Sequence, residues 1–214
     1  WYFSLLQGAK VHQKIGDVSV EYIFDPRSPQ TVHQYAPHLK LIVSLREPID
    51  RAISAYYWQL RKGVIPNLPL EEGLRIAIDA TNETQDPKLR KCYEDLIRRG
   101  FYDMQLERYL QYFKPEQFLF VLYEDLQNKP LSVIQKIYEF IGVNSTYQPK
   151  SLQRQPKRNT YLTASIYLQR LAPKSPAVGK FMDLTNQLLH QLGIENQKPA
   201  LSESLLQQLR TIYE

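Results

Sequence analysis

The chain has 214 residues, of which 43% are hydrophobic, 23% charged and 12% aromatic, and its formal net charge is +5. This apolar content can offset the chain entropy lost on folding, so the composition excludes intrinsic disorder and predicts one globular domain over residues 1–214. No apolar run approaches the roughly 18–20 residues that a membrane-spanning helix needs, so we predict no membrane span.

Cysteine and histidine usage excludes two further classes of protein. Cys92 is the single cysteine, so an internal disulfide is excluded and a reducing, cytoplasmic location is expected. The four histidines show no metal-ligand spacing, and Cys92 stands apart from them, so we predict no metal site.

Short apolar runs alternate with amphipathic segments along the chain. In chain order we predict a helix over residues 30–35, a buried strand over 40–45, helices over 48–62 and 70–80, and an amphipathic helix after Gly100. A second buried strand over 118–123 and helices over 130–141, 161–171, 178–192 and 202–213 follow. In the helix after Gly100, five apolar residues fall on or near one face: Met104, Leu106, Tyr109, Leu110 and Phe113. Strands alternating with helices predict an α/β domain with a mainly parallel sheet.

Arg46 ends the first predicted strand, directly before a helix that begins at Pro48. Parallel α/β folds bind ligands at the carboxyl ends of their strands, and the planar guanidinium of arginine suits a phosphate. Ser54 follows within the helix, where its hydroxyl could donate to the same phosphate. A structural role also stays open, with Arg46 paired to Glu47 or Asp50 and Ser54 lining the helix.

The segment around Arg46 resembles a known family. Residues 41–56, LIVSLREPIDRAISAY, are similar to the 3′-phosphate-binding segment of sulfotransferases that use 3′-phosphoadenosine 5′-phosphosulfate (PAPS), where a strand is followed by Leu-Arg-Asp-Pro, Arg-Ala and Ser-x-Tyr. Glu47 replaces the usual Asp. Three more segments resemble the family in the same order, namely residues 16–22, 100–110 and 118–143. The likeness is greatest to the bacterial and heparan-sulfate-type branch.

The resemblance implies a fold and an activity. The fold is a P-loop-like three-layer sandwich, with a central, mainly parallel sheet flanked by helices. The activity is transfer of a sulfuryl group from PAPS, without a metal, to a hydroxyl or amine of a small-molecule, carbohydrate, lipid or carrier-bound acceptor. No nucleic-acid partner is implied.

The resemblance also implies residue roles. Arg46 and Ser54 would hold the 3′-phosphate of PAPS, and Asp17 occupies the position of the catalytic carboxylate that takes the acceptor's proton. Glu21 is the second candidate for this base, and a plain turn role for Asp17 stays open. Tyr102 and Gln105 lie about one helical turn apart and could face one site, or they could be a packing tyrosine and a solvated glutamine.

One feature departs from the family pattern, and one stretch of the chain is unusually basic. The phosphosulfate loop with its lysine would precede the first segment of likeness, so we expect a sulfotransferase domain truncated at its N-terminus. Residues 142–182 contain seven Lys or Arg and no Asp or Glu, and Arg158, beside Lys157, is our candidate for a second nucleotide contact.

Two other functions compete with catalysis. A non-catalytic nucleotide- or polyanion-binding module would fit the basic stretch and the missing loop. Nucleic-acid binding is a third interpretation, but the aromatic residues fall mostly at apolar helix spacings, which indicates a core role.

Overall fold

The computed structural model describes residues 8–10, 12–79, 86–153, 184 and 199–214. The chain forms two compact units, each built from two segments: Trp1–Arg46 with Tyr102–Gln155, and Glu47–Phe101 with Pro156–Glu214. We call them unit 1 and unit 2. The expectation of a single domain stays a prediction. The helices predicted over 161–171 and 178–192 lie outside the described residues, apart from Leu184, which is helical.

Each of the two described strands is followed directly by a helix, as the hydrophobic pattern predicts, and four described helices separate the strands along the chain. In chain order the described elements are α1 (Glu21–Phe24), α2 (Ser28–Tyr35), β1 (Leu41–Leu45), α3 (Pro48–Lys62), α4 (Leu70–Ile78), α5 (Pro87–Arg98), α6 (Tyr102–Leu110), a 3₁₀ turn (Pro115–Gln117), β2 (Phe118–Leu122), α7 (Tyr123–Asn128), α8 (Pro130–Ile141), a 3₁₀ turn (Lys150–Gln153) and α9 (Glu203–Tyr213). The second strand ends one residue earlier than predicted, because Tyr123 begins α7.

Helix ends follow from glycine and proline. Proline begins α3, α5 and α8, where its fixed φ suits the first helical turn and its missing N–H costs nothing. Gly63 and Gly142 end α3 and α8 with φ of 68° and 74°, the left-handed conformation that favours glycine.

Unit 1 contains the sheet. β1 and β2 are parallel, with Leu41 opposite Phe118 at one end and Leu45 opposite Leu122 at the other. Aromatic side chains of α6 and its following turn cover the start of the sheet, and the cluster consists of Tyr109, Phe113 and Phe118 with Val32, Leu41 and Val43 packed against it. This establishes an α/β architecture with a parallel sheet.

Burial of the strands is incomplete. The aromatic cluster reaches Phe118, but Phe120 and Leu122 are 50% and 49% exposed. The prediction of a fully buried second strand is therefore wrong for these two side chains.

The inward face of α6 differs from the predicted one. Gln105 and Tyr109, which are one helical turn apart, are its buried residues, whereas Met104 and Leu110 are 61% and 51% exposed. The prediction that Met104 and Leu110 pack inward is wrong, because a stripe centred on Gln105 and Tyr109 turns both toward solvent.

Unit 2 is helical in its described part. Buried side chains of α3, α4, α5 and α9 form one core, in which Tyr56, Leu74, Leu96, Leu205 and Leu209 are completely buried. The Tyr56 hydroxyl donates to the carbonyl of Leu68 at 2.6 Å, and the Tyr213 hydroxyl donates to the carbonyl of Ile97 at 3.1 Å. The last helix, α9, confirms the prediction for residues 202–213.

Cys92 lies on α5 at the edge of this core. The side-chain amide of Gln59 donates to its backbone carbonyl at 3.1 Å. The thiol is partly buried, and burial raises its pKa.

Within the described ranges, no helix has both the length and the apolar character needed to cross a membrane.

Candidate nucleotide-binding and catalytic site

Arg46 lies at the carboxyl edge of the sheet in unit 1, directly after β1. Its guanidinium carbon is 4.8 Å from the centroid of the ring of Tyr123, the residue that directly follows β2. Because Leu45 and Leu122 are register partners, the cation and the ring occupy equivalent positions on two parallel strands.

The contact between Arg46 and Tyr123 suits a residue that binds an anion. A cation over an aromatic face gains about 0.5–2 kcal/mol, depending on its desolvation. The attraction acts between the cation and the ring and needs no N–H donor to form a hydrogen bond with the ring, so it helps to position the guanidinium beside the end of β2. The Tyr123 ring is itself held in place by Gln127, whose side-chain amide donates to the Tyr123 hydroxyl at 2.7 Å.

Glu47 caps the helix that follows Arg46. Its two carboxylate oxygens accept from the backbone N–H groups of Ile49 and Asp50 at 3.0 and 2.6 Å. The negative charge also lies at the positive end of the helix dipole. The first-turn amides that could bind an anion are therefore already bonded to a side chain of the chain itself.

Ser54 lies in α3 and belongs to unit 2, where it is half-buried. Arg51, in the preceding turn of the helix, donates to the backbone carbonyl of Leu96 in the last turn of α5. This bond gives Arg51 a structural role, because it satisfies a carbonyl at a helix end. Arg46 belongs to unit 1 and Ser54 to unit 2.

Asp17 is exposed and precedes α1 in unit 1. One carboxylate oxygen accepts from the backbone N–H of Val18 at 2.9 Å, and the other accepts from the hydroxyl of Tyr22. Glu21, the second candidate base, begins α1, and its backbone N–H donates to the Ser19 hydroxyl at 3.2 Å. Each oxygen of an ionised carboxylate has two lone pairs, so both hydrogen bonds leave Asp17 able to accept a proton.

Helix α6 contacts the segment that carries Asp17. The hydroxyl of Tyr109 donates to the backbone carbonyl of Tyr22 at 2.8 Å, and burial raises the pKa of Tyr109 to about 12. Gln105, one turn earlier, is 2% exposed, so the interpretation of a solvated glutamine is wrong. Tyr102 is half-buried.

Two contacts were missed by sequence reasoning. Tyr123 lies against Arg46, and it could have been found because both residues directly follow parallel strands. Tyr22, the second residue of α1, bonds to Asp17 five residues earlier in the chain, and no sequence spacing signals this contact. Arg158 and Lys157 lie outside the described residues. In the part of the chain that the structure describes, no group of three or more His, Cys, Asp or Glu could hold a metal ion.

A family model matches most of the chain. The model described as "Sulfotransferase domain" matches residues 21–192, which include Arg46 and Ser54 and exclude Asp17.

Named relatives of this chain are also sulfotransferases, which agrees with the family match. Human heparan sulfate glucosamine 3-O-sulfotransferase 6 is 29% identical over 152 residues, which are 70% of this chain and 41% of that protein. Mouse heparan sulfate glucosamine 3-O-sulfotransferase 3B1 is 29% identical over 143 residues, 67% of this chain and 35% of that protein. The chain thus spans about two fifths of the length of these relatives.

A solved structure matches as well. The crystal structure of a sulfotransferase from Alicyclobacillus acidocaldarius has a TM-score of 0.59 and 28% sequence identity, with 73% of this chain and 61% of that chain covered. The resemblance noted in the sequence is confirmed. The chain belongs to the sulfotransferase family.

Proposed function

We propose that this chain transfers a sulfuryl group from PAPS to a hydroxyl or amine of a carbohydrate. Family membership supports the reaction and the donor. The names of the heparan sulfate relatives support a sugar acceptor.

The observation that carries the proposal is the placement of Arg46. It lies where parallel strands end, the usual ligand edge of an α/β sheet, and the Tyr123 ring orients its guanidinium. A fixed planar cation matches the oxygens of a phosphate bidentately. The placement of Arg46 supports a contact with the 3′-phosphate of PAPS. We assign Arg46 and Ser54 to that group and Arg158 to a second contact.

Asp17 is proposed as the general base. PAPS supplies, when bound, a sulfuryl group joined to a phosphate that leaves readily. The acceptor oxygen or nitrogen forms its bond to sulfur as the bond from sulfur to the phosphate oxygen breaks, and Asp17 takes the acceptor's proton. Arg46 and Ser54 hold the donor in place. The chain's main contribution to catalysis is therefore positioning of the reactants and electrostatic stabilisation.

The architecture is proposed to be the P-loop-like three-layer sandwich implied by the resemblance. The parallel pair β1–β2 and the helices that follow each strand support it.

The test is a transfer assay with radiolabelled PAPS on the full-length protein. Heparan sulfate, a simple sugar and a lipid alcohol serve as acceptors, and Arg46→Ala serves as the matched variant with weakened nucleotide binding. Label transfer to heparan sulfate that falls in the variant is the expected result. Binding of adenosine 3′,5′-bisphosphate with no transfer to any acceptor would instead favour the non-catalytic nucleotide-binding module.

A further inference from the structure

Helix α1 depends on contacts from outside itself. It has only four residues and none of them is buried. A single helical turn does not form independently in water, because nucleation fixes several residues for one hydrogen bond. Its conformation must therefore be held by neighbouring elements.

Two consecutive residues of α6 provide that support. The hydroxyl of Tyr109 donates to the carbonyl of Tyr22 at 2.8 Å, and the guanidinium of Arg108 donates to the carbonyl of Phe24 at 3.4 Å. Tyr109 is buried within the aromatic cluster of unit 1, so the first of these bonds ties α1 to a packed part of the protein.

The side chain of Tyr22 extends this support to Asp17. Its hydroxyl donates to one carboxylate oxygen, while the other oxygen accepts from the N–H of Val18. The Val18 bond is local, since it joins neighbouring residues. The Tyr22 bond relates the carboxylate to α1 and, through the bond from Tyr109 to the Tyr22 carbonyl, to α6.

We propose that Tyr22 is the positioning residue of Asp17, and that Tyr109 holds Tyr22 in place through its backbone carbonyl. The inference rests on the proposed role of Asp17 as general base. Tyr22 contacts neither donor nor acceptor in this scheme; its hydroxyl fixes the direction in which the exposed carboxylate accepts a proton. Geometry of this kind limits a general base before its basicity does.

The test is a double-mutant cycle in the full-length protein, with Tyr22→Phe, Asp17→Asn and both changes together. Turnover is measured with radiolabelled PAPS and heparan sulfate, and affinity is measured with adenosine 3′,5′-bisphosphate. Tyr22→Phe should lower kcat about 10- to 150-fold, as for loss of one hydrogen bond to a charged group. It should leave nucleotide affinity unchanged and add no loss once Asp17 is Asn.

A matched control and a second readout complete the test. Tyr112→Phe alters a tyrosine of unit 1 that is 38% exposed, the same fraction as Tyr22, and should leave kcat unchanged. Hydrogen exchange of residues 17–24 should rise about 2- to 10-fold in Tyr109→Phe, as expected for one neutral hydrogen bond.

The outcomes separate the two hypotheses. No turnover in the wild-type protein would overturn the proposed function, and hydrogen exchange would then decide whether Tyr109 holds α1. Full turnover in Asp17→Asn would leave sulfuryl transfer standing but would overturn the role of Asp17 as base, and with it the positioning role of Tyr22. A large loss in Asp17→Asn with no loss in Tyr22→Phe, or with additive losses in the double variant, would overturn the positioning role.

Discussion

Arg46 and Tyr123 form a cation–π pair at the carboxyl edge of the sheet, with the guanidinium carbon 4.8 Å from the ring centroid. The two residues follow β1 and β2 at matching register. The orientation of the candidate anion-binding cation is thus set by the neighbouring strand.

Arg46→Ala should weaken binding of adenosine 3′,5′-bisphosphate by about 1.5–3 kcal/mol, the loss expected for a charge-assisted contact. Arg46→Lys keeps the charge but loses the planar fork, so its loss should be intermediate. Tyr123→Leu removes the stack and should cost about 0.5–2 kcal/mol. Titration calorimetry measures all three, and an unchanged affinity in Arg46→Ala would remove this residue from the site.

Asp17→Asn keeps the side-chain shape and removes the basicity. Turnover should fall by about 10²–10⁴-fold, the usual contribution of a general base, while nucleotide affinity stays nearly intact. Glu21→Gln is the comparison, since Glu21 begins α1 nearby. If Glu21→Gln shows the large loss and Asp17→Asn does not, the two assignments must be exchanged.

Glu47→Ala removes both acceptors from the first turn of α3. Loss of a helix N-cap should lower the free energy of unfolding by about 0.5–2 kcal/mol. Glu47→Asp, the residue usual in the family, should retain most of this stability because a shorter carboxylate also caps well. Urea denaturation compares the variants, and equal midpoints for Ala and wild type would show that the cap contributes nothing.

Gly73→Ala should disrupt the core of unit 2. The added methyl would lie 2.2 Å from Cε2 of Tyr56, which is completely buried and hydrogen-bonded to Leu68. Overpacking of this kind costs about 1–3 kcal/mol. Gly8→Ala is the control, with nothing within 4 Å of its added methyl. Thermal unfolding should show a lower Tm for Gly73→Ala alone.

Asp25 should titrate at an unusually low pH. Hydrogen bonds from the side chain and the backbone of Arg27 lower its pKa from 3.8 to about 2. Because the folded pKa is depressed, the stabilisation from this pair is present above pH 3.8 and is lost as the pH falls toward 2. Nuclear magnetic resonance titration of the Asp25 carboxyl measures the value. It should rise toward 3.8 in Arg27→Ala, and an unchanged value would exclude the pair as its cause.

Local sequence signals predicted much of the fold. Pro48, Gly63 and Gly142 mark helix ends that the structure reproduces, because each residue has one strong backbone preference. It was harder to predict which face of an individual element packs inward. Met104 and Leu110 are apolar, but the packed stripe of α6 includes a glutamine, and composition alone cannot reveal that a polar side chain is buried.

The candidate site was predictable where its residues follow the strands. Arg46 could be placed because a strand end is readable from the apolar run before it. Its contact with Tyr123 depends on which strands are neighbours and in what register, and the hydrogen bond between Tyr22 and Asp17 depends on how the chain turns into α1. These are tertiary relationships, and short sequence windows do not encode them.

Cys92 gives this chain a built-in reporter. Since it is the single thiol of the chain, a disulfide-exchange reagent produces one signal from one position on α5. The thiolate is the reactive form, and burial raises the thiol pKa, so the partly buried thiol should react more slowly at neutral pH in the folded protein than after local opening of unit 2. The rate of labelling, measured against denaturant, therefore reports the local opening of unit 2 without any introduced probe.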